Sequence, residues 1–428
     1  MCRTTRPNPV APKKLITIIK VPPPGPPPGL FPTAFTLLND NSDPNSTLHQ
    51  DFNFLKSNNR FKKLPFALID YTSGSPVYLG NNDKKQFFVA SMAKIGVLFA
   101  ALWLRKTARE NARKSTKTTI KEVIDELIAK WANEPKPFPD RFKKNFVASK
   151  TWPPNLHNIL DGHKKSNGEW QLDFKSDHDF KVPNRTTSLN AINHFSKLPE
   201  RTAAQKKAKR DKIDPLGFRD RLELMIAWSD NMAAASCIDS LGYQFINGSL
   251  EKAGFYNRDK TAGGGLWISL NYHGAAEGSD FQQTTGQGAT AQVAATAMWL
   301  AATKKLIDRE ASEDWLMMMD KQRMTNQPAP RIPIFTTSLA GEELYNKQNL
   351  NILKMQSKIG IFYKTKKVNN QDVDYDFHYS DVVNIEQDDV GLVKYVFAIC
   401  FSGLTDRPAR VLKDLAFEMA TIISSEHL

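Results

Sequence analysis

Cysteine is scarce in this chain of 428 residues: Cys2, Cys237 and Cys400 are the whole complement. An odd count with no C-x-x-C pair excludes, on spacing, a disulfide framework and a cysteine zinc site. Cys237 (Ala-Ala-Ser-Cys-Ile) and Cys400 (Phe-Ala-Ile-Cys-Phe) sit in apolar settings and read as small core residues. No apolar run reaches about 18 residues, so no membrane-spanning helix is expected; the longest run, around 95–104, stops at Arg105. Met1–Lys20 lacks the apolar core and small-residue cleavage site of a signal peptide. The expectation is a protein that stays inside, or one whose export signal is missing from this chain. Zinc-finger spacings, RNP aromatics and a helix-turn-helix signature are also missing. The net charge of +13, densest at 136–165 and 197–212, therefore reads as a solvated basic insertion and not as a nucleic-acid surface.

What is present is an ordinary globular composition, 41% hydrophobic and 24% charged. Residues 1–30 hold Pro-Pro-Pro-Gly-Pro-Pro-Pro-Gly from Pro22, stiff and unable to pack a core: a linker or tail. Cys2 ahead of it is a free thiol or the lipidated first residue of a tethered protein. Phe35–Leu38 and Asp51–Lys56 read as short helices, and Phe66–Tyr71 with Val77–Leu79 as a hairpin turning at Ser73-Gly74-Ser75-Pro76. Thr119–Trp131 is amphipathic, with Ile120, Val123, Ile124, Leu127, Ile128 and Trp131 on one face. Residues 133–214 read as a partly irregular insertion, in which Asp177-His178-Asp179 has no second ligand pair at helical spacing, so no metal site is expected. Helical patterns resume at Leu216–Ser229, Met232–Leu241, Ala289–Leu306 and Glu313–Met324. No strand leads into the glycines Gly263-Gly264-Gly265, which excludes a phosphate loop. Asn351–Tyr363, Val373–Ile385 and Tyr395–Gly403 are strand-like, and Asp406–Glu426 closes the chain as a helix. This order implies an α+β fold: an antiparallel sheet from 31–110 and 350–428, around a helical block at 111–349.

The chemistry centres on Phe87–Leu98. Ser91 and Lys94, three residues apart, share a helix face. Their flanks (Phe87, Phe88 and Val89; Ile95 through Trp103) are apolar, so the lysine is expected in a low dielectric that disfavours its charge. A neutral lysine can take the proton of a serine hydroxyl and activate it. The same residues also fit a plain helix start, with Ser91 as cap and Lys94 reaching for solvent. Two further pieces decide between these: Ser229-Asp230-Asn231 between two helical patterns, and Lys358-Ile359-Gly360 inside a strand.

S-x-x-K, S-D-N and K-T-G, in that order, are the signature of class A β-lactamases and penicillin-binding proteins, and the chain resembles that superfamily over roughly 60–426, minus the insertion. The resemblance implies an acyl-enzyme at Ser91, Lys94 as base, Ser229 relaying a proton to the leaving nitrogen, and Lys358 attracting a substrate carboxylate. It implies Asn231 and Asn271 as substrate-site residues and backbone N–H groups of Ser91 and Ile361, beside Gly360, as the oxyanion hole. It implies a small-molecule or peptide substrate, no cofactor and a periplasmic or cell-envelope location. Three positions depart from the pattern. Trp267 (Trp-Ile-Ser-Leu-Asn) stands where class A enzymes carry the deacylating glutamate, with Glu251, Glu277 and Asp280 as conceivable substitutes. Ile359 replaces the Thr or Ser of K-T-G, and Gly265 and Gln283 replace an ion pair that ties the loop, which is expected to be loose. Slow deacylation, or a binding role without turnover, is the expectation.

Overall fold

The computed structural model describes residues 30–138, 146–181, 184–257, 264–269, 272, 287–320, 352–368, 371–388, 392–403 and 408–427. The proline-rich segment and Cys2 lie outside them. In chain order come α1 (Thr47–Ser57), β1 (Phe66–Asp70), β2 (Val77–Asn81), β3 (Phe87–Phe88), a 3-10 turn at Ala90–Ala93, α2 (Lys94–Ala112) and α3 (Ile120–Ala132). Next are α4 (Val147–Lys150), α5 (Leu156–Ile159), β4 (Leu160–Lys164), β5 (Trp170–Phe174), α6 (Arg185–Ser196), α7 (Ala203–Ile213) and α8 (Phe218–Ala227). Then follow α9 (Asn231–Leu241), α10 (Tyr243–Lys252), β6 (Trp267–Ile268), β7 (Gln287–Ala289), α11 (Ala291–Ala302), α12 (Arg309–Met319), β8 (Ile352–Val368), β9 (Gln371–Asp388), β10 (Leu392–Gly403) and α13 (Pro408–Glu426).

The main sheet runs β2-β1-β10-β9-β8, antiparallel throughout, so its strands do come from both ends of the chain. Strand side chains alternate between faces, and the two faces feed two cores. Phe66, Leu68, Tyr395, Phe397 and Ile399 pack with Leu48 and Phe52 of α1 and with Leu415 and Met419 of α13. Ala67, Ile69, Val396, Ala398 and Cys400 face a larger core with α2 and α11. The fold is α+β, a sheet between helical layers.

Helix α2 is the axis of the helical block. Fifteen of its residues, Lys94 and Arg105 among them, are buried; each fully buried Leu, Ile or Phe contributes about 1.5–3 kcal/mol. A capping box starts α3, with Thr119 and Glu122 exchanging hydrogen bonds. Two stretches differ from expectation. Phe35–Leu38 is not helical; it is an extended strap, Phe35 N–H donating to Ala253 O at 2.9 Å and its ring stacked on Phe255 at 5.5 Å. Four residues cannot stabilise a helical turn against that packing. Within 133–214, β4 and β5 pair as a hairpin, and Leu160, Leu172, Leu189, Ile192 and Ile213 join the larger core. Their apolar residues are too widely spaced for either period to show in sequence.

Candidate active site

The turn before α2 is held from several sides. Ala90 has φ +44, a left-handed value costing roughly 1–2 kcal/mol for a residue with a side chain. Its carbonyl accepts from Gln287 Nε2 at 3.1 Å and from Tyr272 OH at 3.4 Å. The preceding carbonyl, of Val89, accepts from Ser380 Oγ at 2.8 Å. Ser91 is therefore presented, half-buried, on a clamped turn whose Lys94 N–H donates back to Ser91 O. Lys94 is completely buried.

Ser229 lies where α8 must reverse into α9. Trp228 ends α8, and Asp230 caps α9 by accepting from Ala233 N at 2.9 Å. The reversal puts Ser229 at φ +57, the position after a helix that glycine usually fills. The reward is geometric: this turn surrounds the Lys94 amine. Lys94 Nζ donates to Ser229 O at 2.6 Å and to Asn231 Oδ1 at 2.9 Å, with Asp230 O at 3.4 Å and Ser229 Oγ at 3.5 Å. The ring of Tyr272 also lies close to the amine, its centroid 4.6 Å away. Burial lowers the Lys94 pKa to about 7; Asp230 and Glu200 oppose the shift and Lys209 adds to it. The assisting ammonium is thus Lys209, from the inserted segment.

Strand β8 is one of the two edge strands of the five-stranded sheet, and it brings the third motif. Lys358 Nζ donates to Ser229 Oγ at 2.7 Å, so one hydroxyl joins both lysines. Gly360 is required by packing. A Cβ there would come closer than 3.0 Å to Val89 O, Met92 N and Ser380 Oγ, prising the strand off the Ser91 turn. Ile361, one residue on, is 44% exposed beside that turn. Ile359 is half-buried and registers with Asp381 of β9. Ser91, Lys94, Ser229, Asn231, Lys358, Gly360 and Ile361 therefore converge; Asn271 lies outside the described residues.

A second group of side chains beside the site is aromatic. Trp267, 2% exposed, pairs with Gly288 and packs on Tyr256 at 4.7 Å and edge-on to Phe138 at 5.3 Å. Asn247 brackets the next residue like a neighbouring strand, donating to Ile268 O at 2.7 Å and accepting from Ile268 N at 2.9 Å. The described end of the loop is tied down; most of the stretch expected to be loose, from Gly265 to Gln283, lies outside the described residues. Gln86 donates to Gly265 O at 3.0 Å and accepts from Gly265 N at 2.8 Å. Glu251 lies in the last turn of α10; Glu277, Asp280 and Gln283 lie outside the described residues.

Tyr272, Gln287, Glu200 and Lys209 went unnoticed in the sequence. Tyr272 has one trace, its place one residue beyond Asn271; the others stand in no motif. Asp177, His178 and Asp179 serve local structure. Asp177 accepts from Gly217 N at 2.8 Å, His178 pairs with Asp220 at 3.3 Å, and Asp179 accepts from Lys181 N at 2.9 Å.

Residues 174–368 match the model of the β-lactamase enzyme family, a range that includes Ser229 and Lys358 and begins after Ser91 and Lys94. No curated protein matches the chain. Solved structures similar to it include the TLA-3 extended-spectrum β-lactamase, at 12% identity over 88% of this chain and 98% of that one with a TM-score of 0.43. A class A β-lactamase from Bacteroides cellulosilyticus is 11% identical over 90% and 100%, with a TM-score of 0.41. PBP-A is 14% identical over 90% and 97%, with a TM-score of 0.39. The resemblance carried by the three motifs is thus joined by the family match, and the chain resembles the β-lactamase and penicillin-binding serine hydrolase superfamily.

Proposed function

We propose that the protein is a β-lactamase-like serine hydrolase or transferase that forms an ester at Ser91 and releases it slowly. The observation that carries this reading is the meeting of Lys94, Ser229, Asn231 and Lys358 around one buried amine. A neutral Lys94 gives its two N–H bonds to Ser229 O and Asn231 Oδ1 and keeps a lone pair for the Ser91 proton. Ser91 Oγ then bonds to the acyl carbon, and the electrons of the breaking C–N bond go to nitrogen. Ser229, hydrogen-bonded by Lys358, passes a proton to that nitrogen and is reprotonated through the lysines. The N–H groups of Ser91 and Ile361 hold the oxyanion; losing such a donor typically costs on the order of 10²–10³ in rate.

The second half of the cycle needs a base for water. The Trp267 ring lies in an aromatic cluster, and the Tyr272 ring lies close to the Lys94 amine. Neither can accept a proton from water, which favours a long-lived ester on a β-lactam, peptide or simple ester. The same rings favour a second reading, a binding protein without turnover. The substrate class suits a periplasmic or cell-envelope setting.

Intact-mass analysis of the full chain after incubation with a penicillin or a fluorophosphonate tests the proposal. The expected result is one adduct that persists on wild type and is missing from Ser91→Ala. No adduct, or an equal one on Ser91→Ala, overturns it and leaves the binding role.

A further inference from the structure

One charged group at this site has no part in the steps above. Glu200 lies between α6 and α7, in the segment read from sequence as a basic insertion. Its Oε1 accepts from Asn231 Nδ2 at 3.4 Å and its Oε2 from Lys209 Nζ at 3.1 Å. Lys209 Nζ is also 2.5 Å from Asp230 Oδ2. One ammonium shared by two carboxylates leaves a net negative charge. The Lys209 and Asp230 side chains are 2% and 1% exposed, whereas that of Glu200 is 34% exposed. The excess charge thus reaches solvent at Glu200, against the outer face of Asn231. The inner face of the same amide holds Lys94 through Oδ1.

Resting on the proposed function, we infer that Glu200 is a specificity-determining residue that favours acyl donors bearing an ammonium group close to the scissile carbonyl. Such a group meets the open lone pairs of the Glu200 carboxylate while the carbonyl lies at Ser91. A donor with an anionic or purely apolar substituent there gains nothing and faces a fixed negative charge. Lys209 holds the carboxylate in place, so little ordering is required when the ligand arrives.

Ampicillin and benzylpenicillin are suitable probes, because they differ by one amino group on the side chain. The second-order rate of adduct formation at Ser91 is measured by intact mass on the full chain, wild type and Glu200→Gln. The amide of Glu200→Gln keeps an oxygen for Lys209 or Asn231, so the helix pair is retained. Wild type is expected to prefer ampicillin by about fivefold, the scale of a partly exposed ion pair. In Glu200→Gln the ratio is expected to fall to about one. Raising the salt is expected to shrink the wild-type preference without a variant being needed. Adducts with no preference for ampicillin in wild type, a preference unmoved by salt, or one that survives in Glu200→Gln overturns this inference and leaves the proposed function standing. No adduct with either probe overturns this inference, and no adduct with a fluorophosphonate as well overturns the proposed function.

Discussion

Two regions around the Ser91 turn are built from opposite materials. The motif region is a set of nitrogen and oxygen atoms at hydrogen-bond distance: Lys94, Ser229, Asn231 and Lys358. It is strained, with Ala90 and Ser229 at positive φ, and it buries an amine that burial makes easy to deprotonate. The region around Trp267 and Tyr272 is aromatic, although Tyr272 too is held at φ +57. Activating a serine needs only the first region; activating a water needs a base on the second. Under the proposed function these two capacities would be separable on one scaffold, since they would rest on different elements: the 3-10 turn, the α8–α9 reversal and β8 on one side, β6 and Tyr272 on the other.

The comparison is broken most severely at Lys94. Lys94→Met is expected to lower the rate of adduct formation by about 10²–10⁴-fold, the usual range for a positioned base. Stopped-flow or timed mass spectrometry reads it, and an unchanged rate would place the activating group elsewhere. Gly360→Ala should come next, with a loss on the order of 10²-fold, because strand and turn must separate. A β8 able to absorb the methyl would show an unchanged rate and melting temperature.

The pH profile follows from the same lysine. Only its neutral form accepts the Ser91 proton, and its pKa is about 7. Adduct formation should therefore rise roughly tenfold per pH unit well below 7 and level off above it. Folding stability changes in the same sense. The group is lowered from 10.5 to about 7, so between those values the unfolded chain binds the extra proton. Stability from this site accordingly rises with pH across that window, and the cost of burying the charge is fully present below about 7. In Lys94→Met both slopes should vanish; a slope that survives points to another group.

In the aromatic region the expected effects are smaller and sharpen the contrast. Trp267→Glu introduces the residue type that the motif resemblance implies at this position but buries a carboxyl among Phe138 and Tyr256. We expect a loss of about 3–5 kcal/mol in denaturant unfolding, from cavity and buried polar group together, and no faster ester hydrolysis. Rapid turnover would show that the backbone, and not the residue, had been adequate all along. Tyr272→Gly relieves the positive φ and uncovers Lys94 to water. The adduct is expected to decay a few-fold faster; an unchanged half-life would mean the ring does not guard the amine.

Much of the motif region was legible because each of its residues sits in a short, ordered pattern on an element with clear periodicity. Helix α2 announces itself by its apolar run, α3 by its amphipathic face, and β9 and β10 by their strand-like segments. Gly360 was legible only as part of a motif; its physical reason, the Val89 carbonyl against the strand, was not. The Lys209 contribution to the Lys94 environment was not legible, because a chain-order argument cannot tell which charges gather around a buried amine. Glu200, Gln287 and Tyr272 stand in no recurring pattern, so nothing local distinguishes them from other polar and aromatic residues.

By itself the sequence determined the α+β class, the order of the main-sheet strands and of the longer helices, and the three motifs that bear amines and hydroxyls. These are encoded by neighbours within a few residues, through side-chain periodicity and capping. Only the tertiary structure decided which charges surround Lys94, that Trp267 faces an aromatic core, and that the inserted segment delivers Glu200 and Lys209 to Asn231 and Asp230. Those contacts join residues tens to hundreds of positions apart, and they are selected by packing and desolvation, which act through space and leave no period along the chain.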